Sequence, residues 1–264
     1  IGDEGMQAVA PLLSGLRTFV LNGCTRVGDA ACVAIGRNVQ QLERLEAELL
    51  QRVTDHGVQA IVRGCAKLTA LHVGGCTRIS SVSTSLIADH CSSLSRLGVG
   101  GLINLTDLDL EDIGRCKKLT HLELCACPKV SDAGLKSIGK LADRQCKLWA
   151  TWAAEKRHAA ADDAPPTLTH LDVAGLGRMS DDALLKLVVR ATHLRTLDVR
   201  GCSRLTEDGV ARACAGCTAD GVQCVASLPM PSLQTLVLLA LPAAATDRVA
   251  DFILRARPSL NLLR

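Results

Sequence analysis

The chain has no tyrosine, two phenylalanines and two tryptophans, so aromatics make up 2% of its 264 residues. That scarcity removes the stacking platforms on which single-stranded nucleic acids are held. A strong excess of either charge is missing too. The formal net charge is +3 and no basic block stands out, whereas a phosphate-binding surface needs clustered Lys and Arg. Nucleic acid is excluded as a partner class on both counts. Long apolar runs are also missing: those such as residues 236–241 fall far short of the roughly 18 residues needed to span a bilayer. No membrane partner is expected, and no secretory signal is visible. The signatures of catalysis are absent as well, with no G-x-S-x-G elbow, P-loop, H-E-x-x-H or strand-borne G-x-G-x-x-G. The sequence therefore reads as that of a protein that is not an enzyme and carries no cofactor.

What it has instead is a repeat. Residues 194–202, Leu-Arg-Thr-Leu-Asp-Val-Arg-Gly-Cys, place apolar side chains at Leu194, Leu197 and Val199 and a thiol at Cys202. The alternation Leu197, Val199 has the period of a strand, and Gly201-Cys202 turns the chain out of it. The leading leucine recurs at Leu16, Leu42, Leu68, Leu94, Leu119, Leu168, Leu194, Leu233 and Leu260. The spacings are 26, 26, 26, 25, 49, 26, 39 and 27, which makes eight units and a truncated ninth. A fixed period of this length marks a solenoid of stacked units sharing one continuous core.

The second half of each unit is as regular. An apolar residue precedes Thr or Ser and then an acid, as in Val53-Thr54-Asp55, Val130-Ser131-Asp132, Met179-Ser180-Asp181 and Leu205-Thr206-Glu207. The hydroxyls suit helix N-caps, and the acids suit the positive end of the helix dipole. Apolar residues at helical spacing follow, such as Val58, Ile61 and Val62, or Leu184, Leu187 and Val188. Each unit is thus a strand, a turn and a helix.

Thiols recur at the turn (Cys24, Cys76, Cys127, Cys202) and three residues before the leading leucine (Cys65, Cys91, Cys116). On these residues the unit resembles the cysteine-containing leucine-rich repeat of F-box/LRR proteins and their relatives. The resemblance covers nearly the whole chain. It implies an α/β leucine-rich-repeat solenoid of about eight or nine repeats, a horseshoe with a parallel sheet on its concave face and helices on its convex one.

Thirteen cysteines in a small secreted domain would mean disulfides. Here most fall at equivalent core positions, where a thiol acts as a small buried hydrophobe. Their odd number and regular placement fit a reducing, intracellular compartment, either cytoplasm or cilium. Cys214-x-x-Cys217 with Cys224 has partial zinc-ligand spacing, but a closed site wants four ligands and no fourth is near. These thiols read as core or loop residues, and no metal is expected.

A single solenoid over residues 1–264 carries two insertions. The first, residues 141–167, combines an extended helix over 140–161 with a loop at Asp162, Asp163, Pro165 and Pro166. Leu141, Leu148, Trp149 and Trp152 fall near one stripe of that helix. The second, residues 211–232, echoes Thr206-Glu-Asp-Gly-Val210 in Thr218-Ala-Asp-Gly-Val222. The chain opens on the helix half of a unit and ends on a strand, so flanking segments or partners are expected to cover both ends.

The concave face can be read off the repeat. Its central column is Val20, Glu46, His72, Gly98, Glu123, Asp172, Asp198 and Val237; the column before it runs Thr18, Arg44, Ala70, Arg96, His121, His170, Thr196 and Thr235. If the 49-residue unit stacks like the others, His121, Glu123, His170 and Asp172 form a two-by-two patch of imidazoles and carboxylates. Such a patch is a solvated polar face that offers ligands to a metal ion or a basic partner. Candidate partner-binding residues are Glu46, His72, His121, Glu123, His170, Asp172, Asp198 and Arg200. To these are added Trp149 and Trp152, because interfaces draw on Trp and Arg and the concave columns hold no aromatic. The resemblance implies a non-enzymatic protein-interaction scaffold. One context is a structural subunit of a multi-subunit complex, such as the ciliary nexin–dynein regulatory complex. The other is the substrate-recognition module of an SCF-type F-box/LRR ubiquitin ligase, and no F-box helices are visible in this sequence.

Overall fold

A computed structural model describes residues 1–155, 164–215, 235–237 and 261–263. The chain divides into two compact units, Ile1–Lys129 and Val130–Arg264. The second insertion beyond residue 215, Cys217 and Cys224 lie outside the described residues, as do residues 156–163 of the first.

In the first unit, three-residue strands alternate with helices. They are α1 (Asp3–Val9), β1 (Thr18–Val20), α2 (Asp29–Asn38), β2 (Arg44–Glu46), α3 (Asp55–Gly64), β3 (Ala70–His72), α4 (Ser81–His90), β4 (Arg96–Gly98), α5 (Asp107–Ile113) and β5 (His121–Glu123). Successive strands pair in parallel with the register the repeat predicts, Phe19 with Leu45, Leu45 with Leu71, Leu71 with Leu97 and Leu97 with Leu122. These leucines point inward and are buried. Leu45 and Leu71 share an interior with Cys32, Val58 and Ile61 of the helices, so sheet and helices enclose one core.

The second unit contains α6 (Asp132–Glu155), β6 (His170–Asp172), α7 (Asp181–Arg190), β7 (Thr196–Asp198), α8 (Glu207–Ala215), β8 (Thr235–Val237) and β9 (Asn261–Leu263). Its strands also run parallel, Leu171 opposite Leu197 and Leu197 opposite Leu236. The extended helix is the repeat's own helix prolonged: α6 starts at Asp132, not in the insertion. Leu135, Ile138, Leu141 and Gln145 are buried along it, and the Gln145 side-chain oxygen accepts from Leu168 N at 2.9 Å, tying the helix to the entry of β6. Leu148 does not join the buried stripe; it lies at the margin of that arc and is 61% exposed. Trp149 packs on His193, ring centroids 4.7 Å apart, while Cys146 Sγ sits 3.3 Å from His193 Nδ1 and 3.4 Å from the Arg190 carbonyl.

The turn after each strand needs a left-handed residue. Gly23, Gly75, Gly101, Gly175 and Gly201 supply it, with φ of 64–71°. On two rungs a non-glycine takes the position, Leu49 at φ 61° and Ala126 at φ 53°. The thiols that follow behave as expected on most rungs. Cys76 Sγ donates to the Ala47 carbonyl at 3.1 Å and Cys202 Sγ to Val173 at 3.2 Å, each on the rung before. Burial pushes both thiols up to about 11. Cys24 is the exception: it is half-buried, because β1 is the first described rung and none stands over that thiol.

The acids after the N-caps do more than face a helix dipole. Five of them, Asp3, Asp29, Asp55, Asp132 and Asp181, reach the cap of the following repeat. Asp3 accepts from Gly28 N at 2.7 Å, and Asp29 accepts from Thr54 N at 2.8 Å and Thr54 Oγ1 at 2.6 Å. Asp55 does the same for Ser80, at 2.9 and 2.6 Å, and accepts from Ser83 Oγ as well. In the second unit, Asp132 binds Ser180 across 48 residues and Asp181 binds Thr206. Where Ser81 replaces the acid, the next cap, Thr106, binds its own helix's Asp109 instead, N to Oδ2 at 2.7 Å.

This ladder carries a pH dependence. Burial alone would raise the Asp55 carboxyl, but donation from Ser80 and Ser83 outweighs it and holds the group below its ordinary value. A carboxyl lowered in the folded state stabilises above its unfolded pKa of about 3.9, and that stability is lost as pH falls through the folded value. Urea unfolding should therefore show stability falling below about pH 4, with a shallower fall in Asp55→Asn. An identical slope in the variant would exclude the ladder as the cause.

Candidate functional site

In the first unit, the central column of strand positions carries Glu46, His72, Gly98 and Glu123 on β2 to β5, in register. Rungs two apart are separated by roughly 9.6 Å, too far for most side chains to meet. His72 and Glu123 meet nonetheless, His72 Nδ1 to Glu123 Oε2 at 3.5 Å, because Gly98 has no side chain between them. A Cβ built on Gly98 would lie 2.6 Å from His72 Nδ1 and 3.0 Å from Glu123 Oε2.

A second acid joins from the turn after β2. Glu48, half-buried, leans across the neighbouring rung at Gly74, where an added Cβ would stand 3.3 Å from its Oε1. One ligand-capable atom from each of Glu48, His72 and Glu123 lies within 4.8 Å of the others. Cys125 Sγ overhangs Gly100 in the same way, in the space a Cβ there would fill. The floor is thus three glycines, Gly74, Gly98 and Gly100, and the walls are side chains from neighbouring rungs.

Hydrogen bonding from His72 holds the Glu123 carboxyl below its ordinary value, opposed by burial and assisted by the charges of His72, His121 and Arg44. His72 itself is 14% exposed, and its Nε2 is buried without a partner. Glu46 stands apart from the cluster: Arg44 donates to its Oε1 at 2.9 Å from Nε, and Asn22 donates to its Oε2 at 3.1 Å.

The four residues of the expected two-by-two patch fall in different units, His121 and Glu123 in the first, His170 and Asp172 in the second. Within its unit each histidine lies beside the threonine before it, His121 Nδ1 2.8 Å from Thr120 Oγ1 and His170 Nδ1 2.8 Å from Thr169 Oγ1. Asp172 accepts from Ala174 N at 2.8 Å. Asp198 is buried and takes a forked pair from Arg200, Nε to Oδ2 at 2.8 Å and Nη2 to Oδ2 at 2.7 Å. Trp149 and Trp152 are half-buried, with centroids 6.4 Å apart. Sequence reasoning missed Glu48, whose signal is its place at the turn position that Gly74 and Gly100 occupy on the next two rungs.

The Leucine Rich repeat family model matches residues 190–211, which contain the end of α7, β7 and the start of α8. A crystal structure of the leucine-rich repeat-containing protein LegL7 from Legionella pneumophila aligns with 93% of this chain and 72% of its own, at 13% identity and a TM-score of 0.52. Both units are leucine-rich-repeat solenoids. A crystal structure of the Rad7 and Elc1 complex in yeast aligns with 99% of this chain and 77% of that one, at 14% identity and a TM-score of 0.44. The comparison with curated proteins found no match. Among the described residues, no helix of the leucine-rich-repeat chain is long and apolar enough to cross a membrane.

Proposed function

We propose that this leucine-rich-repeat protein is a non-enzymatic interaction scaffold that holds partner proteins. The observation that carries the reading is the outward face of its sheet. Parallel sheets are ordinarily covered on both faces. In the first unit the inward leucines are buried, while Thr18, Val20 and Arg96 on the opposite face are exposed and Arg44, Glu46, His72 and Glu123 are partly so. A rigid parallel ladder with one polar face open to solvent is a surface shaped for a partner.

In the second unit, the prolonged helix α6 offers a separate, apolar contact. Leu148 is exposed and Trp149 and Trp152 are half-buried beside it, the combination from which interface anchors are drawn. Because Trp149 also packs on His193, its replacement would mix folding with binding. Leu148 isolates the two. The scaffold works within a multi-subunit assembly in the cytoplasm or cilium, of the nexin–dynein regulatory kind, a placement supported by the resemblance of its cysteine-bearing repeats.

The test is recovery of partners on the tagged full-length protein from cells, wild type against Leu148→Asp. Structural-complex subunits should be recovered, and the substitution should weaken binding at least tenfold, about 1.4 kcal/mol, with little change in thermal midpoint. Recovery of cullin-ligase components instead would replace the assembly with the ubiquitin-ligase role. Undiminished binding by the stable variant would remove α6 from the interface.

A further inference from the structure

The geometry points to a divalent transition-metal site on the strands of the first unit, with Glu48, His72 and Glu123 as its protein ligands and zinc as the ion that suits them. Nothing in the scaffold reading requires it.

Three features argue for the site together. The first is spacing. Two donors on one tetrahedral zinc, each about 2.0–2.2 Å from the ion, stand about 3.4 Å apart. His72 Nδ1 and Glu123 Oε2 are already 3.5 Å apart, and Glu48 offers a carboxylate oxygen within 4.8 Å of one ligand atom on each of the two residues. Closing that last gap takes a rotation of an unbranched side chain, not a backbone shift. The second feature is charge and donor type. Two carboxylates that face one imidazole repel each other, and a dication offsets both. Mixed imidazole and carboxylate donors suit zinc better than magnesium or calcium, which favour all-oxygen shells. The third feature is the room kept for the ion. Gly98 leaves open the volume between His72 and Glu123, and any larger residue there would fill it.

His72 is already placed for coordination: its side chain is only 14% exposed and Nδ1 is turned to Glu123, so the ring needs no rearrangement to bind an ion there. Glu123 remains about half exposed, so a bound ion keeps positions open to water. Cys125, over Gly100, stands close enough in the fold to border the site without being one of the three converging ligands.

An ordinary ion pair between His72 and Glu123 is the competing account, and a cationic side chain from a partner is another. Titration separates them. The reduced full-length protein, freed of metal with a chelator, is titrated calorimetrically with zinc chloride, and thermal midpoints are read with and without zinc. One equivalent should bind with a micromolar or tighter Kd and raise the midpoint. Glu48→Gln, Glu123→Gln and His72→Ala should each weaken binding at least tenfold and abolish the rise. Gly98→Ala, which removes no ligand, should do the same by filling the space beside Nδ1, while Glu46→Gln should bind as wild type. Circular dichroism confirms that each variant remains folded, and the isosteric glutamines guard against loss through misfolding. Failure of the wild type to bind zinc would overturn the site. So would binding that survives in the folded glutamine variants, since the ion would then sit on thiols elsewhere.

Discussion

Leu71→Ala should lower the unfolding free energy by about 2–5 kcal/mol, since deleting three buried carbons leaves a cavity that the surroundings only partly close. The site offers little room for collapse. Leu71 is 1% exposed and stands in register between Leu45 and Leu97, which are equally buried. Stacked repeats contact only their neighbours, so a void on one rung weakens both of its interfaces. Leu197, 1% exposed in the second unit, should respond alike. Chemical denaturation of each variant reads the change. A loss below about 0.5 kcal/mol at both positions would mean that the leucine column is not packed as described.

Gly36→Ala sets two effects of opposite sign against each other. Gly36 lies within α2, where Ala is favoured over Gly by about 0.8–1.0 kcal/mol on helix propensity alone. The tertiary structure predicts the reverse. A Cβ at Gly36 would overlap the Ala60 carbonyl oxygen of α3 and lie 2.9 Å from its carbon. The obstruction is backbone, so no side chain can swing aside and the two helices must separate. Overpacking of this kind costs about 1–3 kcal/mol, which exceeds the propensity gain. Gly64→Ala presses on the same contact from the other helix, its Cβ 2.6 Å from Gly36 Cα. Denaturation should show both variants less stable than wild type. A more stable Gly36→Ala protein would show that α2 and α3 do not approach this closely in solution.

The two glycines illustrate a limit on reading local sequence. Each sits inside or at the end of an amphipathic pattern, where glycine looks like a weakness. Only the approach of a neighbouring helix, 24 to 28 residues away in the chain, gives it a purpose. The aspartates are a second case. Asp29 and Asp55 follow a cap position, and their place at the positive end of a helix accounts for them locally. Their carboxylates are in fact spent on the next unit's cap, as the bonds from Asp29 to Thr54 and from Asp55 to Ser80 show. The 26-residue period held that information, since a donor recurring one period on is a neighbour in space.

The candidate site divides along the same line. His72 and Glu123 were legible as outward-facing residues because strand side chains alternate and the leucines mark the inward face. Their meeting was not legible, because a column places them two rungs apart. The glycine at position 98 decides it, by letting long side chains lean along the sheet. Glu48 was hidden for a related reason: it lies in a turn, outside the alternating pattern, and enters the cluster by crossing Gly74.

By itself, the sequence determined the repeat, the parallel strands, their register and the inward leucines, because these follow from a strand period of two and a repeat period near twenty-six that is broken only at the two insertions. The tertiary structure alone decided which side chains meet outside that period: Glu48 with His72 and Glu123, Trp149 with His193. Those contacts depend on the absence of side chains between them and on reach across rungs, quantities that no single unit contains.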